Sequence, residues 1–228
     1  MSNSKENIAY YDAIATEYNE MLDKKPDRLI REKVANKFCS IVKEAIVLDF
    51  GGGTGLDLEW LAANNNTIFF CEPSAGMRQK AMSTYTGAHY KKVIFFENAD
   101  ADFTQWSLKS PFTVKVNAVL ANFAVLNCIR DVKLLFQNLA IIVKPGSNMF
   151  ALVLTGDATK PGRIFNNIFK TFSIKKTATV VIKYRKHHQT VYLHSIREIV
   201  NSSAQYFDFC SSEIFKGSPF TLIHLQRK

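Results

Sequence analysis

Residues 46–55 read Ile-Val-Leu-Asp-Phe-Gly-Gly-Gly-Thr-Gly. A short apolar run is broken only by an acid, and glycines then stand at every second position, 51, 53 and 55. The run predicts a buried strand. The glycines predict a turn without Cβ atoms, against whose main chain a ligand can lie directly. Leu56-Asp-Leu-Glu-Trp-Leu-Ala-Ala follows and predicts a helix whose free N–H groups point back at the turn and favour negative charge there. Strand, glycine turn and helix in this order form the nucleotide-binding opening of a doubly wound α/β fold. The dinucleotide fingerprint Gly-x-Gly-x-x-Gly fails in both registers. Counted from Gly51 its third glycine falls on Leu56, and from Gly52 its second falls on Thr54. The spacing is Asp-x-Gly-x-Gly-x-Gly, which by itself also fits an ordinary tight strand-to-helix turn.

Outward from this segment, strands alternate with helices. Strands are expected at 67–71, 92–96, 114–121 and 148–154, with helices at 74–85 and 131–143 and a Lys144-Pro-Gly turn. Repeated units of this kind predict a parallel sheet with helices on both faces and right-handed crossovers. Before the core, one amphipathic helix is expected over 8–23, ended by Pro26 and Asp27, and a second over about 28–43. After Leu154 the pattern changes to a loop over 155–162, a helix over 163–172 and two β-rich stretches, 177–184 and 190–194, separated by Arg185-Lys-His-His-Gln. These stretches predict a hairpin with His187 and His188 solvated at its tip. Ser195 is a plausible N-cap for a helix over 195–204, with Glu198 at capping-box spacing. Two last strands are expected at 206–210 and 219–225.

A chain of 228 residues with 47% hydrophobic content is read as one globular domain. It subdivides into N-terminal helices (1–44), a core of alternating strands and helices (45–154), an insertion (155–194) and a last helix with strands (195–228). No apolar run approaches the ~20 residues of a membrane helix, and residues 1–7 lack an apolar signal core. Cys39, Cys71, Cys128 and Cys210 form no CxxC pair and are read as reduced, buried thiols, with no zinc site or other metal expected. A cytoplasmic location is expected. Net charge is +9, and the stretch from Lys170 to Arg197 contains no acid. Such a stripe either forms a solvated face or attracts an anionic small molecule, nucleic acid or a membrane surface.

The spacing Asp49, Gly51, Gly53, Gly55 resembles motif I of the class I S-adenosylmethionine-dependent methyltransferases of the small-molecule type, and the resemblance runs from about Tyr10 to the end. It implies a doubly wound, mostly parallel seven-stranded sheet with an antiparallel last pair, a helical lid and a small hairpin insertion after the fifth strand. It also implies a site for S-adenosyl-L-methionine, with S-adenosyl-L-homocysteine as product. Motif I would approach the methionine part of that cofactor. Glu72, about 20 residues beyond the glycine turn, matches the acid that grips the two ribose hydroxyls, since a carboxylate accepts both hydrogens at once. Met77 matches a position that lies against adenine, although a methionine there also serves simple helix packing. Asp100 and the Ala101 N–H would meet the adenine amino group and a ring nitrogen. Asn122 takes the motif IV place beside the cofactor, and Tyr18, from the lid, would reach its carboxylate.

Motif IV lacks Asn-Pro-Pro-Tyr and a Pro-Cys nucleophile, and no acid and histidine set marks the metal site of catechol-type enzymes. Methyl transfer from a sulfonium needs mainly alignment, and a base only where the acceptor arrives protonated. Tyr11 from the lid and His194 from the end of the hairpin are the candidate bases. The resulting expectation is methyl transfer to O, N or C of a small, possibly anionic acceptor, by a monomer or homodimer that does not bind membranes. An enzyme modifying RNA or tRNA and a non-catalytic cofactor-binding module remain as alternatives.

Overall fold

The computed structural model describes residues 2–22, 24–155 and 179–228. Nine strands are described: β1 (Ile46–Phe50), β2 (Thr67–Cys71), β3 (Val93–Phe96), β4 (Val116–Ala121), β5 (Val143–Leu154), β6 (Thr179–Tyr184), β7 (His187–Tyr192), β8 (Phe207–Ile214) and β9 (Phe220–Arg227). The helices are α1 (Ser2–Ile14), α2 (Tyr18–Leu22), α3 (Lys25–Cys39), α4 (Leu58–Ala63), α5 (Ala75–Thr84), α6 (Val132–Ile142) and α7 (Ile196–Ser203). Seven strands form one sheet in the order β3-β2-β1-β4-β5-β9-β8. β1 to β5 run parallel, and β9 runs antiparallel to both of its neighbours. The expected doubly wound seven-stranded sheet is therefore present.

Its central strands read as continuous apolar runs because both faces are covered. Val47, Ile68, Phe70, Leu120 and Phe150 pack toward α3, α4 and α5, while Leu48, Phe69, Val119 and Met149 pack toward α6 and α7. Strand order reverses at β1, which lies between β2 and β4. Ligands of such sheets bind in the crevice at that reversal, beyond the carboxyl ends of the strands.

Several boundaries differ from the sequence expectation. The single helix over 8–23 is two, α1 and α2, separated by a turn in which the Glu17 N–H donates to the Ile14 carbonyl at 3.0 Å. Pro26 sits inside the first turn of α3, where its missing N–H has no partner to lose. The Lys144-Pro-Gly turn is a bulge within the 12-residue β5, whose pairing with β4 jumps between Val116↔Val143 and Ala118↔Asn148. The β6–β7 hairpin turns on Arg185 and Lys186 alone. His188 therefore lies in a strand rather than at a solvated tip, paired with Glu6 of α1 at 3.2 Å. Cys210 is exposed on the sheet edge, not buried. The helix expected over 163–172 and nearly all of the loop before it lie outside the described residues. Among the described residues no helix is long and apolar enough to cross a membrane, and no His, Cys, Asp and Glu group is arranged to hold a metal.

Two asparagines fix the hairpin over the carboxyl ends of the strands. Asn127 is fully buried. Its Nδ2 donates to the Leu154 and Tyr192 carbonyls at 2.9 and 2.7 Å, and its Oδ1 accepts from the Leu154 N–H at 2.9 Å. Asn7 of α1 pairs with Thr190 as a strand neighbour would, donating to its carbonyl and accepting from its N–H. Asn127→Ala removes a partner from the buried Leu154 N–H and carbonyl, while the Tyr192 carbonyl still accepts from the His194 N–H, and is expected to cost about 1–3 kcal/mol. Urea unfolding with an unchanged denaturant slope and a lowered midpoint checks this.

Candidate functional site

The turn after β1 is built by its backbone. The Gly51 N–H donates to the Cys71 carbonyl at 2.7 Å, joining the turn to the end of β2. The alternate glycines do not serve one purpose. A Cβ on Gly51 would stand 2.5 Å from Val125, and one on Gly55 2.8 Å from Tyr85. Those two positions are glycine because protein fills the space. A Cβ on Gly53, at φ +59°, meets nothing within 4 Å. Gly53 is thus the member of the series whose bare side faces open space.

Glu72, buried at the end of β2, holds this turn in place. Its Oε2 accepts from the Gly53 N–H at 2.9 Å, and its Oε1 from the Ser74 N–H at 2.7 Å. Burial pushes its carboxyl up to about 7, against the opposing pull of those two N–H groups. Each oxygen keeps further acceptor capacity beyond the bond it makes. Asp49 is also buried, with Oδ2 lacking any hydrogen-bond partner. Burial, and then the charge of Asp57, raise its carboxyl well above the usual range.

On the other wall Asp57, just past the turn, accepts from Arg31 of α3 at 2.5 Å, from Trp60 at 3.0 Å and from Asn122 at 3.0 and 3.1 Å. The Arg31 guanidinium lies 4.3 Å over the Phe123 ring. Phe123 and Ala124 both have left-handed backbones, φ +51° and +67°, a conformation seldom adopted by residues with side chains and often found at ligand sites. Tyr18, Arg31, Gly51 to Thr54, Asp57, Asn122 and Phe123 line one cleft.

With this geometry in view, the comparisons are specific. Residues 14–206 match the model of a methyltransferase domain family. The chain belongs to that family. The methyltransferase aligns with the DhpI–SAH complex structure at 16% identity over 99% of its own length and 97% of the other chain, TM-score 0.68. It aligns with an S-adenosylmethionine-dependent methyltransferase from Clostridium acetobutylicum at 10% identity, over 95% and 98%, TM-score 0.67. Against the glycopeptide N-methyltransferase MtfA complexed with S-adenosylmethionine the values are 10%, 85% and 86%, and 0.61. These superpositions show a shared fold. Comparison with curated protein sequences gives no match.

The structure gathers Tyr18, Asp49, Gly51, Gly53, Gly55, Glu72 and Asn122 around the turn. Other expected residues of the methyltransferase are placed differently. Met77 is packed in the core at 1% exposure, so it presents no surface to a ligand in this structure. Asp100 is exposed, and its carbonyl accepts from the Trp106 indole at 2.9 Å, while Ala101 is buried. Tyr11 packs edge-on to Tyr18 with ring centres 6.3 Å apart. Its hydroxyl accepts from Gln189 of β7 at 2.6 Å and lies 3.4 Å from the Cys128 sulfur. Burial and the neighbouring Cys128 raise its pKa well above the ordinary value, so the hydroxyl stays protonated and does not suit a base. His194 is not at the cleft's lining. It is buried with Nε2 2.8 Å from the Ile129 carbonyl and Nδ1 3.3 Å from Glu198. Both ring nitrogens face groups of the fold rather than the cleft, so the ring is not placed to meet an acceptor there.

Arg31, Asp57, Gln189 and Asp12 were not singled out by sequence. Asp57, two residues beyond Gly55, carried the only local signal. Gly52→Ala would place a methyl 2.3 Å from the Phe70 ring and is expected to lower stability by about 2–3 kcal/mol. Gly53→Ala meets no protein atom and is expected to cost about 1–2 kcal/mol, for its left-handed backbone alone. Chemical denaturation of both variants tests that order.

Proposed function

We propose that this methyltransferase binds S-adenosylmethionine against the 51–55 turn and transfers its methyl group to a small, anionic acceptor held beneath α1 and the hairpin. The observation that carries the cofactor's placement is the Gly53–Glu72 pair. An open backbone position lies directly beside a buried carboxylate with acceptor capacity to spare. The orphaned Asp49 oxygen and the acids around it suit a ligand that brings positive charge. In this reading Glu72 grips the ribose diol, and Tyr18 with Arg31 meets the carboxylate end. Asp100 and the Ala101 N–H stand at the adenine end.

When bound, S-adenosylmethionine supplies an already activated methyl group. The chain's own task is then to exclude water and align the acceptor, which can supply ~7–11 kcal/mol. Neither Tyr11, whose hydroxyl is held by Gln189 and raised by burial, nor His194, which lies away from the cleft lining, is placed to remove a proton there. The reading therefore favours an acceptor atom that carries a free lone pair near neutral pH. The small acceptor is supported by the roof itself. Glu6 and Asn7 of α1 and Glu17 of the turn after it fasten this segment to the hairpin, where Glu17 is paired with Arg185 and Lys183 and Lys186 add positive charge.

Calorimetry with S-adenosylhomocysteine is expected to show binding that tightens as pH rises through about 7. The sign follows because only ionised Glu72 accepts from both hydroxyls, and its buried carboxyl is raised to that value. Glu72→Gln is expected to weaken binding tenfold or more and to flatten this pH dependence, consistent with loss of a charged hydrogen bond. Radiolabelled methyl transfer into a metabolite extract, run beside an RNA fraction, is expected to label the former. Label confined to RNA would overturn the small-molecule acceptor.

A further inference from the structure

Asp12 lies on the outer side of α1, far in sequence from every motif, and the fold brings it to the first turn of α5. Its Oδ1 accepts from the Ser74 hydroxyl at 2.6 Å and from the Gly76 N–H at 2.9 Å. Ser74 is fully buried and is the N-cap of α5, its Oγ accepting from the Met77 N–H at 3.2 Å. The Ser74 N–H in turn donates to Glu72 Oε1. A continuous hydrogen-bonded path thus runs from the lid helix through Ser74 to the carboxylate that faces the glycine turn. A second, independent feature holds the two helices at this spacing. A Cβ on Gly76 would lie 3.1 Å from the Ala15 Cβ and 3.2 Å from the Asp12 carbonyl oxygen, so the α1 backbone rests directly on α5.

We infer that Asp12 is a positioning residue for Glu72, so that seating of the lid helix sets the geometry with which Glu72 meets the cofactor's ribose. The inference rests on the cofactor placement proposed above. Coupling of this kind is reciprocal: a ribose held by Glu72 also favours the seated lid. Nothing in the glycine motif requires it, because Glu72 already has Gly53 and Ser74 as backbone partners. What Asp12 adds is orientation of Ser74, whose hydroxyl would otherwise be free to rotate away from α1.

The test uses the full chain and two ligands, S-adenosylhomocysteine and its 2′-deoxy analogue, measured by calorimetry. Asp12→Ala is expected to weaken S-adenosylhomocysteine about tenfold, and the 2′-deoxy analogue by about twofold or less, because the analogue has lost part of what Glu72 holds. Asp12→Asn keeps an acceptor for Ser74 and Gly76 and is expected to restore affinity within about twofold of the parent. It also removes a negative charge near Glu72. The charged and titratable groups around that carboxyl are Asp12, Arg78, Asp49, Tyr18, Cys71 and Cys128. Asp12 raises it and Arg78 lowers it. The pH midpoint for binding in Asp12→Asn is therefore expected to move down. Equal losses for both ligands in Asp12→Ala, or no loss for either, would overturn the inference while leaving the cofactor site in place. Failure of the parent protein to bind S-adenosylhomocysteine would instead overturn the site reading and this inference with it.

Discussion

A strand that ends in three glycines has no side chains with which to define its own turn, so the shape must come from elsewhere. Here it comes from the buried carboxylate of Glu72, one strand over, which takes the Gly53 N–H with one oxygen and the Ser74 N–H with the other. The two bonds fasten the turn after β1 to the start of α5. They also explain how a carboxyl can be so deeply buried. Burial alone penalises its charge, and two backbone N–H groups aimed at it recover part of that penalty. The rest of the site is arranged about this fixed point.

The roof is attached by polar contacts rather than by an apolar seam alone. Asn7 completes the edge of β7, Asp12 caps α5 and Glu17 accepts from Tyr184 and Arg185. The helix α1 thus touches the hairpin through Glu6 and Asn7 and α5 through Asp12, and the turn after it adds Glu17. Such contacts fix register, since each has a single productive geometry, but each is worth only about 0.5–1.5 kcal/mol net between neutral groups. Tyr10 and Ile14 of the same helix are buried in the apolar core, so apolar packing anchors the helix while the polar contacts set its register.

The sheet and its order of elements were legible because both signals are local. Continuous apolar strands, Ser74 and Ser195 as caps, and Asp131 accepting from the Leu134 N–H all lie within a few residues of what they specify. The misreadings share the opposite cause. Nothing near His194 in sequence reveals that the Ile129 carbonyl, 65 residues away, will occupy its Nε2. Nothing near Arg31 announces Asp57 and Phe123. Met77 has the right motif position, but gap-filling in the core is equally natural for a flexible thioether. His188 was misplaced because a two-residue hairpin turn leaves fewer residues at the tip than the basic run suggested. The 51–55 glycines read as one device in sequence, whereas packing divides them: Val125, Phe70 and Tyr85 demand Gly51, Gly52 and Gly55, and only Gly53 is left bare toward the crevice.

The electrostatics of the crevice run against those of the chain. Net charge is +9, yet Asp49, Asp57 and Glu72 meet beside one turn, with Arg31 as the cation that lowers Asp49. Both Asp57 and Glu72 raise the Asp49 carboxyl, and Arg31 only partly offsets them. Asp49 and Glu72, raised by burial, hold protons above their ordinary range, so the crevice is poised to lose protons when positive charge arrives. A ligand with an ammonium and a sulfonium would be favoured there, and a ligand that has given up the sulfonium charge would be favoured less. In the proposed reading, that difference assists release of the product without any moving part.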